Sequence, residues 1–213
     1  LMVGQSRAAD YFVEHARKPY EHTTPLLELD GFSAAGHFTD VSFAVYPGQI
    51  LGLAGVMGSG REELCRALFG ALPGTCGRVL IRGQQVAMTS PRAAVRAGIG
   101  YLPAERKHEG MVADRSVAEN LVLTATPGLT RAGLINRARE GAIVSTWIQR
   151  LHVKAASARA KIGQLSGGNQ QKVVLAKWLA LPQLSVLVLD HPTRGLDLKA
   201  KADVYAHVRA AAA

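Results

Sequence analysis

Residues 50–54, Ile-Leu-Gly-Leu-Ala, carry no charge and lead into a loop holding Gly55, Gly58 and Gly60, followed by Arg61, Glu62 and Glu63. The run is entered through the Pro47-Gly48 turn and reads as a buried strand, since a short apolar stretch bounded by turn residues offers no polar side to solvent. Residues 61–69 then place Leu64, Cys65, Leu68 and Phe69 on one helical face. Strand, glycine turn and helix in that order are the unit of α/β folds. The turn also has a chemical use, because its bare backbone N–H groups and the helix dipole can point at phosphate oxygens. Gly55, Gly58 and Gly60 supply that shape. From the loop alone, a plain strand–turn–helix connection and a phosphate cradle are both open readings.

The rest of the chain agrees with an α/β class. Residues 26–30 and 41–45 alternate apolar side chains as strands do, and 79–81 and 99–102 read as short strands. Ser90 before Pro91 marks a helix start that should stop at Gly98. Residues 104–164 lack strand patterning and are helix-prone, with Ile143, Trp147 and Leu151 at four-residue spacing. Val174, Trp178 and Leu181 mark a further helix face, and 186–189 reads as a buried strand ending at Asp190. Residues 1–25 are polar and unpatterned and read as a linker.

Composition narrows the class. With 213 residues, 48% hydrophobic, the chain can bury one good-sized core with an inserted subdomain. No apolar run approaches the ~18 residues of a membrane span, and the opening residues lack the charged and apolar regions of a signal peptide. Cys65 and Cys76 fit no metal spacing, which points to a reducing compartment. Lys and Arg outnumber Asp and Glu by 25 to 16, a net charge of +9. These basic residues are scattered, and aromatics make up only 6%. They read as a solvated surface with some phosphate-facing groups, which would also suit an anionic membrane leaflet. No nucleic-acid partner is expected.

A phosphate loop of this kind uses a lysine to reach the β- and γ-phosphates and a Ser or Thr hydroxyl to bind Mg²⁺. Here those positions hold Arg61 and Glu62. Arginine keeps the charge, but its planar head is no substitute for a slim ammonium in a tight loop, and Glu62 sets a carboxylate beside phosphate charge. Asp190, at the end of an apolar strand, stands where an acid typically steadies Mg²⁺ in nucleotide hydrolases. His191 follows it and is open to two readings, a neutral proton acceptor or a turn residue without catalytic duty. Downstream of the loop, Leu165-Ser166-Gly167-Gly168-Asn169-Gln170-Gln171-Lys172-Val173 offers a hydroxyl, bare N–H groups and a helix start, a ready anion site.

That nonapeptide, set between the glycine loop and Asp190, resembles the signature of ABC-transporter nucleotide-binding domains over roughly residues 26–213. With Pro192-Thr193-Arg194-Gly195-Leu196-Asp197, it is similar to the ATP-binding subunits of bacterial monosaccharide importers of the ribose, xylose, arabinose and galactose type. Residues 100–110 and 116–120 resemble the acidic/basic loop of those proteins and the helix after it. Gly60-Arg61 matches the second of their two tandem domains, so residues 1–25 would link from a first domain. The resemblance implies a P-loop NTPase (RecA-like) core with an antiparallel β subdomain and a helical subdomain over about 104–165.

It also implies roles. Ser166, Gly167, Gly168 and Gln170 would contact ATP held by the other domain, and Gly55, Gly58, Ser59, Gly60, Arg61, Glu62 and Asp190 would form this domain's own site, Asp190 toward Mg²⁺. Asp197 would lie in the loop between the paired domains, and the segment 105–110 would abut the membrane permease. Three departures stand out. Ala104 replaces a glutamine that reaches Mg²⁺ and water, His191 replaces a glutamate, and the family's switch histidine is expected beyond residue 213, His207 reading as a helix-surface residue. Phe32 and Phe38 are candidates to stack on adenine, and both also suit the core.

The expected function is that of the ATPase component of an ATP-driven sugar importer, using ATP and Mg²⁺. This half would supply its signature to the partner domain while its own site is degenerate, so that alone it would be weakly active or inactive. Its partners would be the first nucleotide-binding domain of the same polypeptide, the permease subunits and, indirectly, a periplasmic sugar-binding protein. It would sit peripherally on the cytoplasmic face of the inner membrane. The alternatives are a non-hydrolysing regulatory half, or an ABC protein acting on ribosomes or DNA.

Overall fold

The computed structural model describes residues 24–131 and 134–212, so nearly all of the expected linker over 1–25 lies outside the described residues. β1 (Leu27–Ala34), β2 (Phe38–Val45), β3 (Thr75–Ile81) and β4 (Gln84–Gln85) form one antiparallel sheet in the order β2-β1-β3-β4. Leu27, Leu29 and Phe32 of β1 face inward with Val79 and Ile81 of β3. Against them lies α1 (Arg61–Leu68), through Leu64, Ala67 and Leu68. These are the apolar faces that the periodicity marks. α2 (Pro91–Arg96) begins as its sequence indicates: Ser90 Oγ accepts the Ala93 N–H at 3.3 Å, and Gly98 ends the turn with φ 85°.

β5 (Ile99–Leu102) is fully buried. The chain then passes through a π-helical turn (Arg106–Gly110), α3 (Val117–Val122), α4 (Thr126–Leu129), the short pair β6 (Thr130–Arg131) and β7 (Leu134–Ile135), and α5 (Arg137–Arg150). Ser116 and Glu119 close a reciprocal capping box at the start of α3. A 3₁₀ turn (Ile162–Gln164) leads into α6 (Gly167–Leu179), whose residues 173–176 are buried among Val117, Leu121, Val144, Leu151 and Ile162. β8 (Val186–Leu189) pairs in parallel with β5, Ile99 opposite Val186 and Leu102 opposite Leu189, and α7 (Leu198–Ala212) follows. Among the described residues no helix is long and apolar enough to cross a membrane.

One expectation fails: residues 50–54 form no strand, and Ile50, Leu51 and Leu53 are 54, 41 and 40% exposed. Apolar character marks a tendency to be buried, but a strand also needs a hydrogen-bonding neighbour, which local pattern cannot supply. β8 has β5 as its one strand neighbour among the described residues. A cavity of about 690 Å³, lined by Ile50, Leu51, Leu53, Val186 and Val188, lies where the run would have to close on β8. For the same reason β8 is half-buried along its length rather than buried. Within 104–164 the expected helices form over 117–122, 126–129 and 137–150, joined by the π turn, the two-residue β6–β7 pair and irregular stretches at 111–116 and 151–161.

Candidate functional site

The glycine loop delivers the chain into α1 through a left-handed residue. Gly60 has φ 82°, and a Cβ there would collide with the His37 carbonyl oxygen, so the position requires glycine. From the next residue the Arg61 side chain bends back over its own loop. Nη1 donates to the Gly55 carbonyl at 3.0 Å, and Nη2 lies 3.1 Å from His191 Nε2. Glu62 Oε1 is 3.1 Å from that same nitrogen. Nε2 cannot serve both partners at once: unprotonated it accepts from Arg61, and protonated it donates to Glu62. Either way, both residues where a lysine and a hydroxyl are expected are turned toward the residue after β8.

Asp190 is 6% exposed at the end of β8. Its backbone N–H donates to the Leu102 carbonyl, and Tyr101 OH donates to its carboxylate at 3.3 Å. Burial raises its carboxyl above the ordinary range; His191 opposes the shift and Glu62 adds to it. Burial likewise pushes the neighbouring Cys65 thiol up to about 12, with Asp190 adding. His191 takes a left-handed φ of 45°, an uncommon backbone for a residue with a side chain.

Mg²⁺ prefers several oxygen ligands in near-octahedral array. Here Asp190 is one donor, Glu62 is engaged with His191, and the guanidinium of Arg61 lies 3.7 Å from the Glu62 carboxylate. Among the described residues no group of His, Cys, Asp and Glu is arranged to hold a metal ion. The residues at this loop do not fit a resident Mg²⁺ of the usual kind.

The signature lies at the start of α6. Ser166 precedes it in extended conformation and makes no capping bond to the helix backbone; its Oγ instead accepts from Asn169 Nδ2 at 2.9 Å. The first turn of a 13-residue helix therefore keeps its N–H groups free of any side-chain cap, beside Gly167 and Gly168. Gln170 does not join them at the surface. It is buried, and its amide donates to the Leu165 carbonyl at 3.0 Å, so it holds the preceding turn in shape. Asp197 is exposed, and its Oδ1 accepts the Ala200 N–H at 2.8 Å, capping α7. Phe32 is core, Phe38 stacks on it with centroids 5.6 Å apart, and His207 is half-buried on α7.

The structure thus makes two groups of contacts. Gly55, Arg61, Glu62, Asp190 and His191 form one; Ser166, Asn169 and Gln170 form the other. They approach each other along the chain after β8, where Gln171 Nε2 donates to the Pro192 carbonyl at 2.7 Å. Sequence reasoning set Arg106 in the segment 105–110 toward a permease and missed its contact with the signature, where it donates to the Arg194 carbonyl at 3.0 Å and lies against Gly167; it missed Lys177, buried on α6, altogether.

Comparison with known proteins bears on the family and the fold. The family model described as ABC transporter matches residues 38–194. The chain is 42% identical over 209 residues to the ribose import ATP-binding protein RbsA of Chelativorans sp. (strain BNC1), covering 98% of this chain and 40% of that protein. It is 43% identical over 191 residues to the RbsA protein of Bacillus subtilis (strain 168), covering 87% and 38%. The chain therefore spans well under half the length of these relatives. Among solved structures, cbiO1 from Clostridium perfringens, part of an ABC transporter complex, superposes with a TM-score of 0.70 at 17% identity, covering 89% of this chain and 76% of that one. A nucleotide-free ATP-binding cassette from an ABC transporter gives 0.69 at 21%, covering 87% and 76%. At those identities the structures speak for the P-loop NTPase fold alone, whereas the family model spans most of this chain: it belongs to the ABC transporter family.

Proposed function

We propose that this chain is the second ATP-binding half of the ATPase subunit of a bacterial sugar importer, lending its signature to a partner site while its own site is degenerate. One contrast carries the reading: the signature helix begins uncapped, whereas the phosphate loop is closed on itself by Arg61, Glu62 and His191. The ribose-import relatives support the sugar cargo.

In this scheme ATP bound to the first domain's loop meets Ser166, Gly167 and Gly168, whose N–H groups and dipole take up phosphate charge while Gln170 holds their turn. Mg²⁺ accompanies the nucleotide there; at this chain's own loop Asp190 is the one oxygen donor left for it. That loop binds nucleotide weakly and hydrolyses it poorly, because His191 stands where a carboxylate base is needed and loss of such a base costs about 10²–10⁴ in rate. Residues 26–213 constitute the nucleotide-binding domain, with its helical subdomain over about 104–165. Asp197 lies in the loop between paired domains. Closure around ATP and its release move the permease subunits, which a periplasmic sugar-binding protein supplies. The domain sits peripherally on the cytoplasmic membrane face, where its net charge of +9 suits anionic lipid.

The test is ATP turnover by the complete tandem protein after the lysine of the first domain's phosphate loop is replaced by alanine. Turnover is expected to collapse. Persistent turnover would mean that this half hydrolyses ATP by itself and would overturn the assignment.

A further inference from the structure

Two carboxylates reach the space between the start of α1 and the end of β8, those of Glu62 and Asp190, and both converge on one atom. His191 Nε2 lies 3.1 Å from Glu62 Oε1 and 3.9 Å from Asp190 Oδ1. Arg61 Nη2 stands 3.1 Å from the same nitrogen and 3.7 Å from Glu62 Oε1. The other oxygen of Asp190, Oδ2, accepts from the buried Tyr101 hydroxyl at 3.3 Å. The loop's one hydroxyl, on Ser59, is turned against Gly55, where a Cβ would stand 2.5 Å from its Oγ. Every oxygen donor here except the second oxygen of Glu62 is therefore turned to a neighbour within the chain.

Mg²⁺ demands oxygen ligands at about 2.0–2.1 Å in near-octahedral array and gives up water reluctantly. An ion seated between Glu62 and Asp190 would have to take the place of the His191 nitrogen, beside a guanidinium that stays charged at any ordinary pH. The chain's own groups fill that place. What they leave is a fixed positive charge at the mouth of the loop. Arg61 is 25% exposed, and its N–H groups outnumber the contacts that it makes to Gly55 and His191. A guanidinium can pair with two phosphate oxygens at once, as an ammonium does not. Beside it the loop backbone is open at Gly58, where a Cβ would meet no other atom within 4 Å.

We propose that this loop takes nucleotide as the metal-free anion, the Arg61 guanidinium facing the phosphates as countercharge while Glu62 and His191 together keep Mg²⁺ out. The proposal rests on the reading that this chain's own site is degenerate and is not where ATP is hydrolysed. Excess Mg²⁺ converts free nucleotide into its complex, so it competes with this loop for ligand instead of assisting it.

The experiment is titration of the fluorescent diphosphate mant-ADP into the complete tandem protein whose first-domain loop lysine is replaced by alanine. It is run once in EDTA and once in excess Mg²⁺, at matched ionic strength. Binding at this loop is the share that Arg61→Ala weakens, by about tenfold or more, as loss of a charge-assisted contact does. That share is expected to be at least as tight in EDTA as in Mg²⁺. Glu62→Ser combined with His191→Glu takes the imidazole away and supplies oxygen donors. This double variant should reverse the order, binding about tenfold more weakly in EDTA than in Mg²⁺. Parent binding that weakens about tenfold in EDTA would overturn the proposal. So would binding that Arg61→Ala leaves unchanged, no binding in either solution, or a double variant that keeps the parent's order. ATP turnover by the same preparation in Mg²⁺ is read separately. Its persistence would overturn the reading of a degenerate site, whereas its loss together with Mg²⁺-dependent binding would overturn this inference alone.

Discussion

Two residues at the site take a left-handed backbone, one without a side chain and one with it. Gly60 has a left-handed backbone at which a side chain would strike the His37 carbonyl, so Gly60→Ala should cost about 2 kcal/mol or more in urea unfolding. His191 holds a similar backbone with a side chain in place, φ 45°, and its ring is 39% exposed. Contacts at that exposure contribute modestly. His191→Gly, which relieves the backbone, should therefore unfold with about 0.5–1 kcal/mol more stability than His191→Ala, which loses the same contacts and keeps the strain. Equal stabilities would mean that the backbone at 191 is unstrained. Neither the clasp of Arg61 on His191 nor the inward turn of Gln170 was legible in the sequence. Arg61 and Glu62 announce themselves as wrong for a lysine and a hydroxyl, but their shared contact, His191, lies more than a hundred positions away and depends on how β8 meets α1.

Among the elements, those with their own periodicity were legible: β1, α1 and α6 bury the faces that their apolar spacing marks, while Val41, Phe43 and Val45 of β2 and Ile143 and Trp147 of α5 pack half-buried against the core. The run 50–54 was not, because apolarity is local and strand pairing is not, and the chain leaves those side chains facing a cavity. Lys177 escaped notice for a related reason, since a lysine on a helix reads as solvated until its partner, the Gly110 carbonyl, is known. Its burial has a measurable consequence. The ammonium is held down at about 8 from an ordinary 10.5. Between those values the unfolded chain binds more protons than the folded one, so stability should rise with pH across that window, by roughly 1–3 kcal/mol. Lys177→Met has nothing to titrate there and should lose that share of the rise. Unfolding curves from pH 7.5 to 10.5 for the two proteins check this, and parallel profiles would contradict it.

At the scale of the whole molecule, one chain combines a helix start at 166–168 free of any side-chain cap with a glycine loop whose Arg61 and Glu62 face His191. The two belong to different nucleotide sites if the signature serves a partner domain. The family was legible from the spacing of loop, signature and Asp190, and the structure adds the reason for the asymmetry, which is the engagement of Arg61, Glu62 and His191 with one another. The measurement that tests this most directly compares two variants of the complete tandem protein in one ATPase assay. Gly168→Asp places a carboxylate at the uncapped start of α6, and Arg61→Ala removes the loop's cation. The account predicts that Gly168→Asp lowers turnover by more than about a hundredfold, as loss of an oriented charge-stabilising site does, while Arg61→Ala stays within about threefold of the wild type. The reverse pattern, a silent Gly168→Asp and a crippling Arg61→Ala, would contradict it.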